Sequence, residues 1–197
     1  MYNKLYESIT DALVHDGYVV IENALEEELP KELQQFAKSQ SDFKQAGISG
    51  AGDLHVDSTR RTDKIHWLDA DGAVQSKYLD FAHGLQEYLN RELYLGLSYY
   101  EAHFAIYEEG DFYETHLDAF KNSKNRVVTM VYYLNEEWGE DDDGELVIYD
   151  ENEKFLAKVM PKANTLIVFI SEKFPHEVLA AKRKRYSIAG WFRVDKV

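Results

Sequence analysis

The hydrophobic period of this sequence changes near residue 95, and that change limits the possible folds more than any other feature. Before it, apolar residues recur about every 3.6 positions, as in helices; after it, they alternate with a period of 2, as in strands. The predicted strands are 99–107, 113–119, 126–134, 144–149, 158–160, 165–170, 177–179 and 185–193. Helices followed by about eight short strands predict an α+β fold, a double-stranded β-helix (jelly roll) supported by N-terminal helices.

The first half of the chain predicts helices and one long loop. Apolar spacing indicates helices over 4–15, 26–39 and 77–91, and Gly17 is expected to end the first of them. Short strands are expected at 18–21 and 65–68. Residues 41–62 are polar without a clear period, and a loop of that length is usually functional or mobile. We expect one domain over 1–197, with helical support and the loop in 1–95 and the β core in 96–195.

The composition excludes several classes of protein. The chain has no Cys, so disulfides, thiolate metal sites and Cys nucleophiles are excluded, and any metal must be held by His, Asp or Glu. Such ligands suit Fe(II), Mn(II) or Zn(II). The net charge of −14 argues against binding to nucleic acid or to an anionic membrane. No signal peptide or membrane-spanning run is visible, which predicts a soluble cytoplasmic protein.

The basic run from Lys182 to Arg185 is a local exception to the acidic composition. Because the whole molecule carries a strong negative charge, a nucleic-acid site here is not favoured. We interpret Lys182, Arg183 and Lys184 as a solvated turn and expect only Arg185 to point inward.

The first candidate site residues are His116 and Asp118, which stand two positions apart in a predicted strand. Side chains at i and i+2 of a strand project from the same face, so the imidazole and the carboxylate would meet. A His-x-Asp motif alone is a weak signal, since two polar residues facing water give the same pattern.

The second candidate group lies near the end of the chain. If residues 176–179 and 185–193 paired as a hairpin, His176 and Arg185 would lie opposite each other, and Ser187 would share the face of Arg185. A buried Arg needs an anion, because an unpaired buried charge is costly. A small carboxylate ligand would satisfy it through a two-pronged contact.

Two His and one carboxylate form the facial ligand set of non-haem Fe(II) oxygenases, and with the Arg the pattern resembles the Fe(II)/2-oxoglutarate dioxygenases. Five segments resemble, more narrowly, the prolyl hydroxylases of the hypoxia-sensing type and their bacterial relatives. These segments are DKIHW (63–67), VTMVYYLN (128–135), DGELVIY (143–149), FPHEV (174–178) and RYSIAGWF (185–192). The resemblance covers about residues 60–193 and implies the double-stranded β-helix fold of that family.

The resemblance also implies residue roles. By position, the catalytic metal ligands are His116, Asp118 and His176, and the residues at the co-substrate are Arg185, Ser187, Tyr107, Tyr133 and Trp191. Arg185 would hold the distal carboxylate of 2-oxoglutarate with Ser187 as a second donor, and Trp191 would be a pocket aromatic beside the iron. Residues 47–61 would form a mobile lid over a peptide substrate. The carboxylate at position 118 favours hydroxylation, because halogenating relatives lack it.

The implied function is a dioxygenase that uses Fe(II), 2-oxoglutarate and O₂, with ascorbate as a stimulant, to hydroxylate a proline in a protein substrate. It would release succinate and CO₂ and act as a monomer or weak homodimer; a translation protein is one target that the family analogy suggests. Two alternatives stay open at this point. One is a hydroxylase of a free amino acid or other small molecule, although the long lid favours a peptide cleft. The other is a module that binds metal and 2-oxoglutarate without turnover.

Overall fold

Within the described residues, the fold has three α-helices and three β-sheets, as seen in a computed structural model. The structure describes residues 2–50, 53–55, 57, 59–70, 72–119 and 125–195, with backbone only for 48–50 and 53–55. In chain order the elements are α1 (Asn3–His15), β1 (Tyr18–Ile21), α2 (Leu29–Ser39), β2 (Lys44–Gln45), β3 (Ile48–Gly50), β4 (Asp53–His55), β5 (Lys64–Trp67), α3 (Ala73–Leu93), β6 (Tyr99–Tyr107), β7 (Tyr113–His116), β8 (Arg126–Tyr133), β9 (Leu146–Tyr149), β10 (Phe155–Val159), β11 (Leu166–Ile170), β12 (His176–Val178) and β13 (Arg185–Arg193).

The helices cover one face of the largest sheet. Tyr78 and Leu85 of α3 and Ile9 of α1 belong to a core that this sheet shares with the helices. As predicted, α1 ends before Gly17, whose φ of +80° is readily available only to glycine. Helix α2 begins at Leu29 and not at 26, because Pro30 has no backbone N–H and is tolerated only in the first helical turn. No helix in the described ranges is long and apolar enough to cross a bilayer.

Two antiparallel sheets form the jelly roll. The larger has seven strands in the order β1-β11-β8-β13-β6-β5-β2, and the smaller has four in the order β10-β9-β12-β7. The predicted bounds of β6 and β13 are confirmed, and the α+β jelly roll is confirmed as the fold class. The segment before residue 95 also contributes strands to the larger sheet, namely β1, β2 and β5.

The predicted hairpin between His176 and Arg185 is wrong. Strand β12 pairs with β7 and β9, whereas β13 pairs with β6 and β8, so the two strands lie in different sheets. The connection between them crosses from one sheet to the other. Alternation of apolar residues tells which face of a strand is buried but not which strand is its neighbour, and the short connection was therefore misread as a turn.

The long polar stretch 41–62 contains short strands that the sequence did not predict. It contains β2, which pairs with β5, and a two-stranded ribbon in which Ile48 lies opposite His55. The two strands of the ribbon lie within the segment 47–61 that was predicted to be a lid. Positions 51, 52, 56 and 58 of that segment lie outside the described residues. Strand β10 begins at Phe155, three residues before its predicted start.

Candidate active site

The three predicted metal ligands lie together between the two sheets. His116 on β7 and His176 on β12 are direct cross-strand partners, so both imidazoles project from one face. The Asp118 carboxylate completes the group, 3.7 Å from Nε2 of His116 and 3.5 Å from Nε2 of His176. One ligand atom from each residue lies within 4.8 Å of the others. The spacing brings the three donors within reach of a single cation.

Asp118 is not on the strand that the sequence predicted. Strand β7 ends at His116, and the chain bends over the next residues. The carboxylate is instead positioned by a hydrogen bond, since Thr129 Oγ1 on β8 donates to Asp118 Oδ2 at 2.8 Å. The Ser171 hydroxyl lies 2.8 Å from the same Thr129 oxygen. Two buried hydroxyls, one on β8 of the larger sheet and one directly after β11, therefore hold the acid that completes the group.

Backbone carbonyls orient both imidazoles. Nδ1 of His116 lies 2.8 Å from the carbonyl of Glu114, and Nδ1 of His176 lies 2.9 Å from the carbonyl of Phe174. A carbonyl can only accept, so each Nδ1 carries a proton, and in a neutral ring the lone pair is then on Nε2. Both Nε2 atoms face Asp118. This arrangement turns two Nε2 atoms and one carboxylate toward the same point, and the carbonyls fix the orientation of both rings.

Electrostatics at the site favour the metal-binding protonation states. Burial, together with the adjacent His176, lowers the pKa of His116 to about 3, so its imidazole is neutral near pH 7. Burial alone would raise the pKa of Asp118, but the two imidazoles, Arg126 and the Thr129 hydroxyl hold that pKa below its ordinary value. No proton has to be removed from these two groups before a cation binds at neutral pH.

Tyr113 and Arg61 pack against the metal-facing group. The Tyr113 ring stacks on the His116 ring with 3.6 Å between centroids, and the Arg61 guanidinium lies 4.5 Å from the Tyr113 centroid. Arg61 also donates to both oxygens of the fully buried Asp63, at 2.6 and 2.9 Å, and to the carbonyl of Gly47. Two residues that bound the predicted lid, Gly47 and Arg61, are thus tied together at its base.

The opposite end of the site is built around Arg185, which is 1% exposed. Its Nη1 donates to Ser187 Oγ at 3.4 Å, and its guanidinium lies 4.8 Å from the Tyr107 centroid and 5.1 Å from the Tyr133 centroid. Within the described residues none of these contacts is an anion, and neither Arg185 Nε nor Tyr133 Oη has a hydrogen-bond partner. The buried guanidinium and the orphaned hydroxyl match a carboxylate ligand.

One cavity of about 370 Å³ connects these groups. It is lined by His116, Asp118, His176, Tyr107, Arg185, Ser187 and Trp191. Tyr133 lies behind Arg185 and does not line the cavity. Lys182, Arg183 and Lys184 are outside it and pair with Asp143, Asp142 and Glu108, so of the basic run only Arg185 points inward, as predicted.

Several residues of the site were missed by sequence reasoning. Thr129 shares a strand face with Tyr133, four residues on, and this period of 2 was a usable signal. The stacking of Arg126 on Trp191, at 3.6 Å from the ring centroid, gave no such signal. Arg126 also lies 3.4 Å from Glu101, which Arg193 contacts as well. These contacts join β6, β8 and β13, and no short motif contains them.

Comparison with known proteins identifies relatives of the same architecture. A family model described as "2OG-Fe(II) oxygenase superfamily" matches residues 102–193. The crystal structure of a Pseudomonas putida prolyl-4-hydroxylase is 33% identical, with a TM-score of 0.87 over 97% of this chain and 100% of that chain. A prolyl hydroxylase from Trichoplax adhaerens, solved with a hypoxia inducible factor peptide fragment, is 27% identical, with a TM-score of 0.83 over 96% of this chain and 89% of that chain.

Curated relatives are similar over shorter parts of their own length. The Hypoxia-inducible factor prolyl hydroxylase of Caenorhabditis elegans is 27% identical over 208 residues, which are 96% of this chain and 28% of that protein. Human Egl nine homolog 1 is 36% identical over 85 residues, which are 42% of this chain and 20% of that protein. The chain therefore spans less than a third of the length of these two relatives.

Proposed function

Because this chain belongs to the 2OG-Fe(II) oxygenase superfamily, we propose that it is an Fe(II)- and 2-oxoglutarate-dependent dioxygenase that hydroxylates a prolyl residue of a protein substrate. One observation carries the proposal. A single cavity holds two imidazoles and a carboxylate at ligand distance and, on the larger sheet, a buried Arg whose described contacts include no anion. The first group suits Fe(II), and the second suits the distal carboxylate of 2-oxoglutarate.

His116, Asp118 and His176 would hold the metal through two Nε2 atoms and one carboxylate oxygen. Three protein ligands leave coordination positions open for a co-substrate and O₂. Bound Fe(II) supplies the redox chemistry by which 2-oxoglutarate and O₂ are converted to succinate, CO₂ and a hydroxylated product. The protein contributes by positioning the three ligands before the metal binds. The carbonyls of Glu114 and Phe174 orient the two imidazoles, and the Thr129 hydroxyl holds the carboxylate.

Arg185 would bind the distal carboxylate of 2-oxoglutarate through its guanidinium fork, and the Ser187 hydroxyl would add a donor. The role of Tyr133 as a further donor to the co-substrate stays a prediction, because Tyr133 does not line the cavity, although its buried hydroxyl has no partner among the described residues. Tyr107 covers the guanidinium with its ring and restricts its position. Together these residues would neutralise the buried charge and orient the co-substrate toward the metal.

The mouth of the cavity supports a peptide substrate. Trp67 is 50% exposed and Leu117 is 41% exposed, although both are large and apolar, and both line the cavity. Exposed apolar side chains that surround an opening are typical of surfaces that bind another molecule. The Trp191 ring lies on the cavity wall behind them. A proline ring with its flanking residues would bury these surfaces, whereas a free amino acid would leave the rim exposed.

The substrate is proposed to be a protein, and a translation protein is the target that we would test first. The peptide substrate is supported by the related Trichoplax enzyme, which was solved with a peptide fragment. The translation-protein target rests on the family analogy. The comparisons do not favour the two alternatives, a small-molecule hydroxylase and a module without turnover, because prolyl hydroxylases stand among both the relatives and the structures.

The decisive experiment measures succinate formed from 2-oxoglutarate with and without Fe(II), and searches captured proteins for prolines that gain one oxygen. Asp118→Ala and His176→Ala should abolish both signals, because each removes a ligand. His83→Ala is the control, since His83 is an exposed residue of α3 outside the cavity. Full succinate production in both ligand variants would refute the proposal.

A further inference from the structure

His103 is a buried polar residue of the cavity wall that the proposed chemistry does not use. It lies on β6, is 2% exposed and lines the cavity. Its ring meets Trp67 edge to face at 5.2 Å between centroids and Trp191 at 5.5 Å. It therefore lies between the two tryptophans of the cavity.

One nitrogen of the buried His103 ring, Nδ1, has no hydrogen-bond partner among the described residues. Burial, together with the nearby Arg61 and Arg126, lowers the pKa of His103 to about 3, so the ring is neutral and offers one donor and one acceptor. An apolar side chain would fill this position without the desolvation cost of an unpaired polar atom. The cost indicates a partner that is not among the described residues of the chain.

The strand register places His103 at the substrate end of the cavity. On β6, Tyr107 lies opposite Arg185, and His103 lies opposite Ala189, four residues along the strand and roughly 13 Å away at the usual strand rise. Ala105, Ser187 and Ala189 separate the two ends with small side chains. Thr129, which holds Asp118, lies opposite Trp191 at the same end as His103. The region beside His103 is therefore next to the metal ligands and away from the carboxylate-binding end.

We propose that His103 is a specificity-determining residue whose imidazole forms a hydrogen bond with a peptide group flanking the target proline. This inference rests on the proposed function and deepens it. A free amino acid has no peptide group on either side, whereas every internal proline has a carbonyl on its N-terminal side and a peptide group on its C-terminal side. Trp67 and Trp191 contact the ring edge to face, so that its polar edge is held beside the exposed apolar side chains of the cavity mouth.

The test uses the metal-loaded protein with 2-oxoglutarate and a panel of acetylated, amidated peptides that each carry one proline. His103→Phe keeps an aromatic ring and loses the hydrogen bond, and the KM for the peptide should rise about three- to tenfold. His103→Gln keeps a donor and an acceptor and should restore most of that loss. The KM for 2-oxoglutarate and the metal affinity should be unchanged in both variants. A rise of all three constants together would indicate a merely structural role and would overturn the proposal.

A second measurement does not depend on turnover. With Zn(II) in place of Fe(II) and without O₂, peptide addition should shift the imidazole ¹⁵N resonances of His103, assigned by their loss in His103→Gln. Resonances that do not move, or a panel that binds wild type and His103→Phe equally or neither of them, would overturn the role of His103. If peptides bind through His103 but none is hydroxylated, the proposed function fails while the role of His103 stands.

Discussion

The hydrogen bond from Thr129 to Asp118 provides a sharp test of how the site is held. Thr129→Val replaces a hydroxyl by a methyl group of nearly the same volume in a residue that is 1% exposed. The lost bond is 2.8 Å long, and its acceptor is a carboxylate. Hydrogen bonds to charged groups contribute about 1.5–3 kcal/mol, and each 1.4 kcal/mol is a factor of about ten in affinity. We therefore expect metal binding to weaken roughly 10- to 150-fold.

The assay is a titration of the metal-free protein with Mn(II). Binding is monitored by calorimetry or by the electron paramagnetic resonance signal of free Mn(II). Thr129→Ser is the matched control, because it keeps the hydroxyl that donates to Asp118 and should stay within about threefold of wild type. Far-ultraviolet circular dichroism checks that both variants are folded. The Ser171 hydroxyl loses its partner in the Val variant, so a modest loss of stability is expected as well.

The reasoning would be refuted by a Thr129→Val protein that binds Mn(II) within twofold of wild type. That result would mean that the carboxylate is positioned by the metal and not by the protein. Equal weakening in the Ser and Val variants would instead assign the effect to packing and would contradict the role given to the hydroxyl.

Three further predictions follow from other contacts. Arg185→Met should raise the KM for 2-oxoglutarate at least about 30-fold, because one partner of a buried charge pair is removed; an unchanged KM would place the co-substrate elsewhere. Asp63→Asn should lower the free energy of unfolding by about 3–5 kcal/mol, measured with urea, because it leaves the Arg61 charge unpaired inside the protein; a loss below about 1 kcal/mol would contradict this. His103 should make folding acid-sensitive, because its folded pKa of about 3 is below the ordinary 6.5. The unfolded chain gains a proton that the folded one rejects, so stability is lost as pH falls below 6.5, by roughly 2 kcal/mol at pH 5. In His103→Phe, the free energy of unfolding should fall less between pH 6.5 and pH 5, by the same amount. A fall equal to that of wild type would count against the neutral ring.

Alternation alone was enough to predict the strands that carry most of the site. Strands β6 and β13 have the predicted bounds. Arg185 and Ser187 share a face of β13, as expected. A strand's two faces are set by its own residues, so this information is local. Sequence similarity to the family added the roles of the ligands, which periodicity by itself left open.

Local sequence did not determine which strands pair or which side chains meet across the two sheets. Sequence reasoning paired His176 with Arg185, whereas the structure pairs His176 with His116 in the smaller sheet. Asp118 was expected on a strand but lies beyond its end, held by Thr129 from the other sheet. Which strands become neighbours depends on how the whole chain buries its apolar faces, and no segment contains that information.

The amino-acid sequence by itself determined the α+β fold class, the absence of Cys and the strands with one polar face. It also determined the order of a His-x-Asp motif, a distant His and an Arg, which is typical of one oxygenase family. The tertiary structure alone decided that the two imidazoles are cross-strand partners, that Thr129 positions the acid, and that His103 lies between two tryptophans without a hydrogen-bond partner for Nδ1 among the described residues. The physical reason is the separation along the chain of the residues that determine each feature. Side-chain direction follows from neighbours along the chain, whereas burial, desolvation and hydrogen-bond partners arise only when strands distant in sequence enclose one cavity.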